Sequence, residues 1–161
     1  MSMPCRALFM LAMLATAMAG AVSAQQLDAK FSCSAKGNDG EALLYADSAE
    51  MHLKGDRIES FRWESSLFRS THGFDCSIDD SDGLRAEVID ADKWRISAID
   101  PKKARDARGY DSAWRLNCTI RLERSGDDLH VVPSCPALCG SRRNFSELTV
   151  NLKTGECRYE E

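Results

Sequence analysis

Six cysteines follow an apolar leader in this chain: Cys33, Cys76, Cys118, Cys135, Cys139 and Cys157. An even set in a short exported chain reads as a disulfide framework, and such a framework limits the fold to elements that the bonds can staple. The leader makes the export reading. Met1 to Arg6 ends in a positive charge, residues 7–22 carry no ionised side chain, and Val22-Ser23-Ala24 supplies the small residues that a signal peptidase reads. Cleavage is expected after Ala24, with Ala21 as the second choice. The apolar run falls short of the roughly 20 residues of a spanning helix. Cys5 lies ahead of the apolar core and leaves with it, so no cysteine is placed for lipidation. The expected product is soluble, periplasmic or secreted, with no membrane insertion.

Residues 1–24 are therefore read as a signal peptide and 25–161 as one β-rich domain. Cleavage removes one of the 21 basic residues, Arg6, leaving 20 basic against 25 acidic side chains. That acidic balance argues against a general nucleic-acid binder. Cys135-Pro-Ala-Leu-Cys139 has a spacing that zinc could use, but no second close pair of ligands accompanies it. No metal and no cofactor are expected, and six paired cysteines leave no thiol nucleophile.

Alternation of apolar and polar residues dominates the domain, as half-buried strands require. In residues 114–123, Trp114, Leu116, Cys118, Ile120 and Leu122 point one way, and Arg115, Asn117, Thr119, Arg121 and Glu123 the other. Shorter alternating runs surround Leu84, Trp94 and Leu148. Gly55-Asp56, Asp79 to Gly83, Ser125 to Asp128 and Thr154-Gly155 supply turn chemistry between runs. Residues 101–111 read as a long charged loop, and residues 41–46 as at most a short helical turn. The fold class is all-β, or β with minor α: an antiparallel sandwich or open barrel of about eight to ten strands.

Hairpin registers propose disulfides. If Ser125–Asp128 is a four-residue loop, so that Arg124 faces Leu129, then Leu122 meets Val131, Ile120 meets Pro133 and Cys118 meets Cys135; a two-residue loop would instead put Cys118 opposite Pro133. A Thr154-Gly155 turn would set Val150 against Tyr159 and Leu152 against Cys157, from where Cys157 could reach Cys139. Cys33 and Cys76 would then pair. Six cysteines allow fifteen pairings, and sequence alone does not choose among them.

Several motifs resolve into ordinary features. Asp79-Asp80-Ser81-Asp82-Gly83 resembles a calcium loop, but the twelfth ligand position would fall on Ile89, so a solvated turn is expected. His52 and His130 alternate with apolar neighbours and belong on polar strand faces. His72, in Ser70-Thr71-His72-Gly73, sits in a loop and is the best placed of the three for chemistry, although no nucleophile elbow accompanies it. Asn117-Cys118-Thr119 and Asn144-Phe145-Ser146 match the glycosylation sequon. The segment from Ser134 to Ser146 stands apart. Cys135, Pro136 and Cys139 tether one side of a loop that carries Ser141, Arg142 and Arg143. Guanidinium groups on a tethered loop lose little entropy on binding and match carboxylate-lined clefts. Paired carboxylates line the active sites of most glycoside hydrolases. The competing reading is two solvated surface charges near Glu147. A second group of basic residues, Lys102, Lys103, Arg105 and Arg108, is diluted by Asp106 and Asp111 and reads as solvated.

Cys139-Gly140-Ser141-Arg142, Phe145 and Cys157 give the C-terminal segment its resemblance to small periplasmic lysozyme-inhibitor-like proteins of Gram-negative bacteria. The shared features are a leader, a compact β-rich fold, few disulfides and a Cys-Gly-anchored loop before a final hairpin. The Ser-Gly-x-x-x-Tyr inhibitory loop of one such family is absent. The resemblance implies a protein partner, a peptidoglycan hydrolase of lysozyme type, and the tethered loop offers Ser141, Arg142 and Arg143 as its contacts, with His72 on a neighbouring loop as a further candidate. The chain would then be an inhibitor or an immunity protein. Two other classes stay open: an envelope enzyme using His72 with a carboxylate, and a structural or adhesion module.

Overall fold

Alternation in the sequence becomes alternation of inward and outward side chains. The computed structural model of the protein describes residues 24–38, 40–110, 117–135, 138–139 and 144–160. The leader over residues 1–23 and the loop residues Ser141, Arg142 and Arg143 lie outside the described residues. In β1 (Gln26–Asn38), Leu27, Ala29, Phe31 and Cys33 point inward between exposed neighbours. β2 (Ala42–Lys54), β3 (Arg57–Arg69) and β4 (Gly73–Asp79) repeat the pattern and complete an antiparallel sheet of order β1-β2-β3-β4. Residues 42–46 are thus the start of this chain's second strand, entered from a bend at Glu41, rather than a helical turn.

The second sheet holds β5 (Leu84–Asp90), β6 (Lys93–Ala98), β7 (Thr119–Ser125), β8 (Asp128–Pro133), β9 (Leu148–Asn151) and β10 (Cys157–Tyr159), in the order β10-β9-β8-β7-β6-β5. The expected all-β, disulfide-stapled class holds, with two antiparallel sheets closing on one core. Trp63, Phe61, Met51 and Leu53 of the first sheet belong to the same buried cluster as Trp94, Ile120, Leu122 and Leu148 of the second. Each large apolar side chain buried there contributes about 1.5–3 kcal/mol. The sheets approach each other at both seams, β1 against β10 and β3 against β5, and remain separate ladders among the described residues.

Turn residues set two hairpins. Gly55-Asp56 joins Lys54 to Arg57, with Gly55 at a φ of 59° that favours glycine. The second turn is the two-residue Gly126-Asp127 between paired Ser125 and Asp128, rather than the expected four-residue loop, and the expected pairs Arg124–Leu129, Leu122–Val131 and Ile120–Pro133 hold. Cys118 and Cys135 follow that register into a disulfide.

Two expected disulfides do not form. Cys33 bonds Cys157, and Cys76 bonds Cys139. Cys33 lies on β1 and Cys76 on β4, the opposite edges of the first sheet. Three strand spacings separate them by about 14 Å, twice the reach of a disulfide. The final hairpin is also shifted by two residues, pairing Cys157 with Val150 and Tyr159 with Leu148. Asn151 causes the shift. Its side-chain oxygen accepts from the backbone N–H groups of Lys153 and Thr154, and its carbonyl accepts from Gly155, so the turn starts earlier than Thr154-Gly155.

Residues 101–111 are not all loop. Pro101–Asp106 forms a short helix α1, begun by the Asp100 side chain, which accepts from the Lys103 N–H at 3.0 Å, and by Pro101 in the first turn. Arg108 fastens this helix to the sheet rather than projecting into water. Its guanidinium donates to Ala104 O and Ser77 O, each at 2.6 Å, and pairs with Asp82. The Asp79-to-Gly83 stretch is a 3-10 turn in which Asp79 caps Ser81 and Asp82 caps Asp79.

Candidate functional site

Strand register brings four inward positions of the first sheet into one transverse row. Cys33 faces Asp47, Asp47 faces Ser65, and Ser65 faces Cys76. All four side chains are buried, and Asp47 and Ser65 are the polar exceptions on a face otherwise made of Leu27, Met51, Phe61 and Trp63. A buried polar group needs partners. Here the partners come from the C-terminal segment and from the sheet itself.

Each member of the row holds a different point of residues 139–159. Cys76 carries Cys139 and Cys33 carries Cys157. Asp47 accepts from Tyr159 Oη at 2.8 Å through one carboxylate oxygen, and from Trp63 Nε1 at 2.9 Å through the other. Ser65 Oγ accepts the Phe145 N–H at 2.8 Å, and its carbonyl accepts the Asn144 side-chain amide at 2.7 Å. Asn144 donates again to Phe74 O at 3.3 Å. Phe145 adopts a φ of 59°, rare outside glycine, and sets its ring edge-on to Trp63 at 4.9 Å. Burial raises the Asp47 carboxyl above its ordinary value, while the donors Tyr159, Ser65 and Trp63 oppose the shift. Burial and the facing carboxylate raise the Tyr159 phenol well above its own ordinary value. It therefore serves as a donor.

Cys139 and Asn144, the described residues on either side of residues 140–143, are thus each fixed to the first sheet. Ser141, Arg142 and Arg143 themselves lie outside the described residues. His72 is placed at the same end of the sheet. It is exposed, its ring meets Phe74 edge-on at 5.2 Å, and Phe74 is the residue whose carbonyl Asn144 holds. His72 Nδ1 lies 2.8 Å from Thr71 Oγ1. No carboxylate bonds it among the described residues, which leaves the acid–base pair of the enzyme reading without a second member there. His130 pairs instead with Glu147 at 2.8 Å, and His52 bridges Asp28 and Glu50.

Asn144 cannot carry a glycan in the folded protein, because its amide is buried and bonded. Asn117 is exposed just before β7. Among the described residues no three His, Cys, Asp or Glu side chains converge to hold a metal ion, and no helix is long and apolar enough to cross a membrane. Asp47 and Ser65 were not singled out from sequence, and Asn144 and Tyr159 entered only as a sequon and as a hairpin partner. The available signal was a polar residue at an inward phase: Asp47 between Tyr45 and Ala49, Ser65 between Trp63 and Leu67. No family model, curated protein or solved structure matches the chain.

Proposed function

We propose that this chain is an exported binding protein of the cell envelope that inhibits a peptidoglycan hydrolase through the loop between Cys139 and Asn144. The observation that carries the reading is the anchoring of both ends of that loop to one buried row of the sheet, Cys139 through Cys76 and Asn144 through Ser65. A loop whose ends are fixed spends less entropy when it docks. Arg142 and Arg143 give it two guanidinium groups, which suit the carboxylate pair of a glycoside hydrolase. His72 and the half-exposed Phe74 lie beside the anchored end and extend the contact surface with a polar ring and an apolar one. Three intramolecular disulfides accord with folding in an oxidising compartment, and the leader supports the periplasm or the exterior.

The test is a calorimetric titration of the oxidised protein against lysozyme-type hydrolases, paired with a cell-wall lysis assay. Replacing Arg142 and Arg143 together by Glu should weaken the complex by several kcal/mol, on the order of 2–5, because a desolvated charge loses its partner. Unchanged affinity in the charge-reversed protein would reject this loop as the contact.

A further inference from the structure

Strand register orders the outer face of the first sheet as firmly as its inner face. Lys30, Glu50, Arg62 and Asp79 stand opposite one another in turn across β1, β2, β3 and β4. Charge alternates along this row. The side chains of Lys30, Glu50 and Arg62 are 78%, 51% and 63% exposed, so solvent covers them. Read from β4 back to β1, the row carries the opposite sign at every position. A two-fold axis parallel to the strands, midway between β2 and β3, lays a second copy of the face over the first in this reversed order. Lys30 then lies over Asp79 of the second copy, and Glu50 over Arg62.

The neighbouring rows match themselves under the same operation. Ser32, Ser48, Glu64 and Ser77 form one, and reversal sets the Glu64 carboxylate over the Ser48 hydroxyl. Ser34, Ala46, Ser66 and Asp75 form the next, and reversal sets Asp75 over Ser34. Lys36, Leu44, Phe68 and Gly73 form the last, and reversal sets Leu44 over Phe68. Leu44 and Phe68 are large apolar side chains left 38% and 42% exposed, and covering them is favourable. The small side chains of the middle rows let two such faces approach closely. Above Ser32 and Ser48 they leave a hollow of about 390 Å³ walled by Lys30, Glu50, Arg62 and Glu64, into which Ser77 and Glu64 of the second copy would project.

We propose that the protein pairs with a second copy of itself through this outer face, about the two-fold axis between β2 and β3. A closed two-fold interface requires a surface complementary to itself, and here every row meets that requirement. The charge rows set the register, and the Leu44–Phe68 contacts add apolar burial. Strands about 4.8 Å apart, rising about 3.3 Å per residue, give the face from Asp28 to Lys36 a span of roughly 19 by 30 Å, or about 600 Å² per copy. Standard interfaces bury about 800 Å² per partner, so this dimer is a weak, concentration-dependent one. It does not depend on the inhibitory reading of residues 140–143.

Sedimentation velocity of the oxidised protein over a concentration series is the test. Monomer should give way to dimer in the micromolar range. Glu50→Arg sets like charges over Arg62, and Arg62→Glu sets like charges over Glu50, so each variant alone should dimerise at least about tenfold more weakly. Mixed in equal amounts, the two variants restore opposite signs at every position and should form a heterodimer of near-natural affinity. Phe68→Ser should also weaken the dimer, by loss of apolar cover. Far-UV circular dichroism and disulfide mass mapping should be unchanged in all three, because the substituted side chains lie outside the core. A natural protein still monomeric at about 1 mM, variants that dimerise as well as it does, or a mixture that stays monomeric would overturn the proposal.

Discussion

Cys33 and Cys76 stand at the two ends of a single row of the first sheet, and each reaches out of that sheet to a different point of the C-terminal segment. The bonds therefore join distant parts of the chain, and their separations rank their effects. Cys118–Cys135 closes 17 residues. Cys33–Cys157 spans 124 residues, but Cys76–Cys139 shortens the connecting path to about 60. Loop-closure entropy then assigns about 3 kcal/mol to the first bond and about 4 kcal/mol to the second. Replacing each pair by alanine should reproduce that order in guanidinium unfolding. A greater loss from removing Cys118–Cys135 would contradict it.

Asp47 predicts a sign in the pH dependence of stability. Its carboxyl is raised in the folded state, with burial as the leading cause. Below the unfolded-state value both states hold the proton, and the protonated, hydrogen-bonded side chain gives its full stabilisation. As pH rises through the folded-state value, the unfolded chain has already released its proton and the stabilisation is lost. The stability of the natural protein relative to Asp47→Asn should therefore fall from acid toward neutral pH. Urea unfolding of the two proteins across that range measures the difference, and an increase with pH would reject the assignment.

Asn144 should be costly to remove. Asn144→Ala deletes donors to Ser65 O and Phe74 O and leaves both carbonyls short of a partner. The expected loss is about 1–3 kcal/mol. Faster hydrogen exchange should accompany it at the Phe145 N–H, which Ser65 Oγ otherwise holds. A variant as stable as the natural protein, with that N–H equally protected, would show that the anchor is dispensable.

His52 lies on the outer face of the first sheet, where the hydrogen bond that it donates to the Asp28 carboxylate, and then the one to Glu50, raises its imidazole above the ordinary value. Protonation favours the folded state, so this contribution is present in acid and fades as pH rises through the folded-state value. Nuclear magnetic resonance titration should place His52 above an unperturbed histidine. Asp28→Asn should lower it, and added salt should narrow the shift because the group is exposed to solvent. A His52 that titrates identically in both proteins would break the link to Asp28.

Strand identity was legible because alternation with period two is a local property. Ile120 and Leu122 announce an inward face without reference to the rest of the chain. The Gly126 hairpin was legible for the same reason, and Cys118–Cys135 followed from its register. The final hairpin was misread because Thr154-Gly155 looked like the whole turn, whereas the Asn151 side chain captured two further N–H groups and moved the register. The Asp100-Pro101 helix start was also local, but it was outweighed by the charge of the residues that follow.

Within the 161 residues, the amino-acid order alone determined which segments extend, which face of each turns inward, where the tightest turns fall and that six cysteines lie beyond the leader. Only the tertiary structure decided that Cys33, Asp47, Ser65 and Cys76 share a row, and that Cys139, Asn144, Phe145, Cys157 and Tyr159 dock on it. The physical reason is range. Side-chain alternation and turn chemistry act over a few residues, while the order of strands within a sheet and the meeting of two sheets depend on burying one core from both sides.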